Sequence, residues 1–290
     1  MTTPHIMAVP EMAQAGAGAI TYWRLSSKPV EHAALVAAWA QARLPVGLLL
    51  STPEPATALR RTVADLRGAR RLVRSVRGTH VIVDETPNAK TVERPSDVEY
   101  TPQATVSLDK VGRVVVAPAH KTVLRDEIAA QYERMLGLLL DSDFSSWFAT
   151  KLIPFVQGVS LRPSGGMYFV PRAQVETWTR IVDAIRAVSD HRVFSIPAME
   201  STEAVAAIVD AIQQEATAEA DDIAKDLNAG KLGTDALDTR VDRTKAMAAK
   251  VERYETLLGV KLDEMRDRLT ELHAQLTVAA AKAEGLRDAC

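Results

Sequence analysis

Seven arginines crowd the stretch from residue 60 to residue 77: Arg60, Arg61, Arg67, Arg70, Arg71, Arg74 and Arg77. One acid, Asp65, lies among them. Guanidinium groups at this density can neutralise phosphates through forked hydrogen bonds and counterion release. No aromatic residue interleaves them, and single-stranded readers stack bases on aromatics. The run therefore reads first as a solvated helix face or a docking surface for acidic helices, and second as a nucleic-acid interface. Asp84 and Glu85 end an apolar run, His80–Val83, a placement that suits metal or acid/base chemistry. A nuclease would need a further acid and a lysine at matching spacing, and no such set is found. Asp141 and Asp143 read as helix caps.

The remaining candidates are weaker. Gly165-Gly166 could form a backbone anion nest, but a hairpin turn needs the same glycines, and no phosphate-loop pattern surrounds them. The histidines His5, His32, His80, His120, His191 and His273 are scattered without ligand spacing. No Gly-x-Ser-x-Gly elbow exists. The one cysteine, Cys290, allows neither a disulfide within the chain nor a cysteine metal site. No catalytic residue, cofactor or metal is assigned.

Composition sets the frame for these residues. The chain has 290 residues with 47% apolar and 25% charged residues, which is globular, and only 5% aromatics. Its net charge of −2 names no polyanionic partner. The charge is uneven, however: residues 1–200 sum to +4 and residues 201–290 to −6. That shift places a boundary near residue 200. No run of apolar residues is long enough to span a membrane, Met1–Ala19 lacks the pattern of a signal peptide, and the expected setting is cytoplasmic.

Residues 1–18 read as a flexible leader and 19–198 as an α+β domain with hairpins. Strands are expected at 19–26, 72–76, 80–83, 105–108, 113–116, 159–170 (around the glycine pair) and 192–196. Leu48-Leu49-Leu50 reads as a short buried strand or extended run. Helices are expected from Pro29, from Ser51, over Lys121–Leu140, after Asp141 and from Pro171. The Leu72–Val76 and His80–Val83 strands flank a turn expected at Gly78-Thr79, and Thr86–Pro95 reads as a loop.

Residues 201–290 read as an all-α coiled-coil or helical-bundle arm. A first helix spans Ser201–Asn228. After glycines at 230 and 233, a heptad stripe runs through Leu258, Leu262, Met265, Leu269, Leu272, Leu276 and Leu286, the expected coiled-coil interface. Glu255 interrupts the stripe. An unbroken second helix would outrun the first and leave its leucines bare. Either the chain folds back at Gly259 as a third bundle helix, or the stripe pairs with another chain or docks on the α/β domain.

Two stretches, Leu161–Pro171 and Val251–Gly259, resemble an uncharacterised family of bacterial and phage proteins. That resemblance implies a cytoplasmic protein, with a mobile element as one source, and carries over no site residue. The function expected is a non-enzymatic scaffold or adaptor, assembling or docking through residues 201–290. The second reading is a nucleic-acid binder using the arginine cluster, and the third is a metal-dependent enzyme using Asp84 and Glu85.

Overall fold

The computed structural model describes residues 16–66, 71–87, 98–198, 201–229 and 232–288. Along the chain run β1 (Gly18–Arg24), β2 (Val30–Glu31), α1 (His32–Gln41), α2 (Pro55–Asp65), β3 (Arg71–Val76), β4 (Thr79–Pro87), β5 (Val98–Leu108) and β6 (Val114–Ala117). There follow α3 (Thr122–Leu136), β7 (Leu138–Leu139), α4 (Asp141–Trp147), a π-helical turn at Phe148–Leu152 and α5 (Ile153–Phe155). The chain continues through β8 (Val159–Ser160), β9 (Tyr168–Pro171), α6 (Val175–Arg186), β10 (Arg192–Ala198), α7 (Thr202–Ala229), α8 (Thr234–Leu258) and α9 (Asp263–Asp288). This is the expected α+β order with hairpins, followed by helices. Most of the expected leader, Arg67, Arg70, most of the loop 86–95 and Cys290 lie outside the described residues.

Two compact units share the chain: an inserted unit of residues 26–144 with 187–190, and a host unit of residues 1–25, 145–186 and 191–290. The charge shift near residue 200 falls inside the host unit.

In the inserted unit β3, β4, β5 and β6 form an antiparallel sheet in that order. Alternation along the strands puts Val73, Ile82, Ala104, Val106 and Val116 on one face. Those side chains are buried with Ala58, Leu59 and Val63 of α2 and Ile128, Tyr132 and Met135 of α3. Pro55 opens α2, where its missing N–H costs nothing. The β3–β4 hairpin turns at Arg77-Gly78, with φ of +48° and +79°. This pair of positive angles matches the right-handed strand twist and sets the turn one residue before the expected Gly78-Thr79. At the β5–β6 turn the Asp109 carboxylate accepts from the amides of Val111 and Arg113, each at 2.9 Å. Those bonds hold its pKa below the ordinary carboxylate value.

Some expected elements differ: the helix expected from Pro29 starts at His32, because Val30-Glu31 pairs as β2, and the strand expected at 105–108 begins at Val98. Leu48-Leu49-Leu50 does not form a strand; a 3-10 turn covers Val46–Leu48. The helix expected to reach Leu140 stops at Leu136, because Leu138-Leu139 leaves it to pair with Val30-Glu31. There tertiary pairing overrides helical periodicity.

The host unit carries a second antiparallel sheet, ordered β10-β1-β9-β8. On one face lies α6, whose Trp178 indole donates to Thr21 Oγ1 at 3.1 Å. On the other face Val159 and Phe169 are buried with Ile208 and Ile212 of α7. Glycine is required at Gly18, where a Cβ would stand 2.1 Å from the Val170 carbonyl oxygen. Edge strand β10 is blunted: Pro197 lacks a donor, and Arg186 donates to the Val193 carbonyl.

The three long helices close on themselves. Gly259, in the left-handed region at φ +65°, caps α8 and turns the chain into α9. The stripe expected to serve a coiled coil is consumed within the chain: Leu262, Leu269, Leu272 and Leu276 are at most 6% exposed. Leu258 and Met265 pack partly buried in the same core, and the Leu286 side chain lies outside the described residues. Glu255, the gap in the stripe, is the clasp of the elbow. Its carboxylate accepts the Leu262 amide at 2.6 Å and pairs with Arg266 at 3.3 Å.

A ladder of ion pairs fixes which way the helices run. Glu215 of α7 meets Lys250 of α8 at 2.7 Å, Glu219 meets Arg243 at 2.5 Å, and Asp226 pairs with Arg240. Acids climbing α7 meet bases descending α8, so the two are antiparallel and a register slip would mismatch the ladder. Among the described residues no helix is long and apolar enough to cross a membrane.

Candidate functional site

The arginine cluster does not survive folding as one surface. Arg61 reaches across the inserted unit to Asp143, 2.6 Å away, and to the Leu138 carbonyl at 3.4 Å. Both of its charged groups are mostly buried, with side chains 13% and 24% exposed. Asp143, expected as a cap, also accepts the Leu140 amide at 2.8 Å. Arg71 pairs with Asp84 at 3.0 Å, the two facing each other across β3 and β4. Arg60, Arg74 and Arg77 are exposed. None of the three has a carboxylate partner among the described residues. Arg61→Ala is accordingly expected to destabilise the inserted unit by about 1–3 kcal/mol, because it strands the Asp143 carboxylate. Arg74→Ala should cost less than about 0.5 kcal/mol. Parallel thermal melts of the two variants check this.

Asp84 is thus bound to a guanidinium, and the Glu85 side chain lies outside the described residues. No group of three or more His, Cys, Asp or Glu side chains is placed to hold a metal among the described residues. His80, four residues before Asp84 on the same strand, is buried. Its Nδ1 sits 2.7 Å from Ser75 Oγ, and burial lowers its pKa from the ordinary value.

The outer face of the inserted unit's sheet is apolar and open. Strand register sets Leu72 beside Val83, Arg74 beside Val81 and Ser107 beside Val115 on this face. Val76 is 60% exposed and Val115 45%. Arg74 stands on the same face, and Arg77 at its hairpin end. The host unit presents the opposite charge. Glu264, Asp267 and Glu271 follow three-four spacing on the exposed side of α9, and Asp235, Asp238 and Asp242 do so on α8.

A groove of about 380 Å³ lies in the host unit between α7 and the segment 149–168. Ala149, Ile153, Pro154, Ala211 and Ala218 supply apolar wall, and Ser160, Arg162, Gln214 and Glu215 supply polar groups. The sequence reading passed over Arg162, Glu215 and Lys250, because the groove joins segments some fifty residues apart. Behind Glu215, the buried Lys250 donates to the Glu215 carboxylate at 2.7 Å and to the Gly158 carbonyl at 2.8 Å. Tyr254 donates to the Gln157 carbonyl at 2.7 Å, and burial pushes its phenol far above the usual range. The Gly165-Gly166 pair is the turn beside the groove, at φ +72° and +88°.

The chain belongs to a family of unknown function, DUF6744, whose model matches residues 17–285. No curated protein and no solved structure matches it.

Proposed function

We propose that this member of the DUF6744 family is a non-enzymatic scaffold that assembles with copies of itself. The basic, apolar outer face of the β3–β6 sheet would receive the exposed acidic triplets on α8 and α9 of a second copy. The observation that carries the reading is the open sheet face, with Arg74 and Val76 on β3, Val115 on the opposite edge strand β6, and Arg77 unneutralised at the hairpin end. Charge complementarity supports the choice of occupant, since the exposed triplets Asp235, Asp238, Asp242 and Glu264, Asp267, Glu271 turn carboxylates outward from the helices. With the leucine stripe consumed inside the bundle, residues 201–290 would contribute their charged exterior rather than an apolar seam. Two different patches in contact make a heterologous, head-to-tail interface, which builds rings or filaments. The resemblance to bacterial and phage proteins supports the cytoplasm as the setting and a mobile element as one source.

Light scattering on the full chain over a range of concentrations tests the proposal, with reductant present. The expected result is a mass that rises with concentration at low salt and falls to the monomer at high salt. The Arg74→Glu, Arg77→Glu double variant stays monomeric throughout. A wild-type monomer at every concentration, or association indifferent to both charge reversal and salt, overturns it. The nucleic-acid reading draws on the same two arginines. It predicts monomeric protein that binds a labelled DNA with steep salt dependence, lost on the same charge reversal.

A further inference from the structure

The groove beside α7 is built with more care than a surface crevice requires. The Arg162 carbonyl accepts from Ser160 Oγ at 2.7 Å and from the Gly165 amide at 2.9 Å. These two bonds fix the backbone from which the guanidinium projects. A Cβ on Gly165 would stand 2.8 Å from the Tyr168 hydroxyl, and one on Gly158 would stand 2.9 Å from the Phe169 carbonyl oxygen. Both glycines therefore permit approaches that no other residue allows. A π-helical turn precedes the wall residues Ile153 and Pro154, a distortion frequent at functional sites. The segment Leu161–Pro171 that carries the family resemblance supplies Arg162 and the turn.

The charges inside the groove decide what would sit there. Glu215 is already neutralised by Lys250, and the Gln214 amide donates to Asp210 at 2.6 Å. Arg162 is exposed and has no acid partner among the described residues. A groove with one unsatisfied guanidinium and mostly apolar walls matches an anion on an apolar body. A planar guanidinium recognises a carboxylate through two parallel hydrogen bonds. The volume of about 380 Å³ falls within the span typical of small-ligand pockets.

We propose that the groove binds a carboxylate borne on an apolar body, with the carboxylate on Arg162 and the body against Ala149, Ile153, Pro154 and Ala218. The same chemistry occurs in a free medium-chain acid and in the C-terminus of a peptide ending in an apolar residue.

Titration calorimetry on the full chain tests this with octanoate, octanol, and a tetrapeptide ending in leucine as free acid or as amide. Octanoate is expected to bind at least about tenfold more tightly than octanol, a gap of one guanidinium–carboxylate pair. Arg162→Gln closes that gap and leaves octanol unchanged. Ala218→Leu, at an exposed helical position, fills the groove and removes binding of both. The peptide arm identifies the source: a free-acid peptide that outcompetes octanoate, with its amide inert, assigns a peptide terminus, and the reverse assigns a free acid. The proposal is overturned if octanoate and octanol bind alike, if no carboxylate binds at millimolar concentration, or if either variant leaves octanoate binding unchanged.

Discussion

Leu269→Ala lowers the stability of the host unit by about 2–5 kcal/mol, the range for emptying a fully buried leucine site, and leaves the mass of the protein in solution unchanged. Leu269 has no exposed surface and sits in the core shared by α7, α8 and α9. Its removal leaves a cavity between three helices whose directions are held by ion pairs, so the walls cannot collapse freely. Denaturant unfolding followed by far-ultraviolet circular dichroism reads the loss, and light scattering reads the mass. The pairing of results is the discriminating point. A stripe used between chains would lose mass and stability together, and that outcome would refute the closed bundle.

The second large effect comes from Glu215→Leu. The change leaves the Lys250 ammonium buried with the Gly158 carbonyl as its remaining partner. Breaking a buried pair from one side costs several kcal/mol. The Glu215 side chain is 37% exposed, so solvent takes up part of the loss, and about 2–3 kcal/mol is expected. Adding Lys250→Met removes the stranded charge and should restore most of the stability, because a matched apolar pair is often as stable as the ion pair. A double-mutant cycle by thermal melting gives the coupling. If the double variant is no more stable than Glu215→Leu alone, Lys250 owes its cost to something other than an unpaired charge.

Sequence and structure agree where the forces are local. The helix of α6, the hairpins β3–β4 and β5–β6 and the helical character of residues 201–290 all announce themselves within a dozen residues, through periodicity and turn chemistry. Gly259 was visible as one of two alternatives, and Glu255 as an anomaly in the stripe. What made sense of both was the αL cap and the Leu262 amide, a contact seven residues away. The arginine cluster shows the opposite case. Arg61 looks like a surface charge until Asp143, 82 residues further along, is brought beside it. No local pattern encodes that pairing. Arg162 is hidden for the same reason, since its neighbours on α7 lie some fifty residues on. Nor does the chain's charge reveal that one compact unit is nested in the other, because nesting is a property of which strands pair.

That nesting has a consequence for how the protein is made. β1 is an inner strand of the host sheet, yet its partners are β9 and β10, and residues 26–144, nearly all of the inserted unit, are translated before either. At roughly 5–20 residues per second, the first strand waits on the order of 7–30 seconds for β9 to leave the ribosome. The inserted unit can close during that interval, since nearly all its residues are contiguous. The host unit cannot close until its last helices arrive. Birth order is therefore inserted unit first and host unit last, with the partners of β1 absent until β9 is made. A nascent chain stalled near residue 150 would display β1 to any chaperone that reads extended apolar segments.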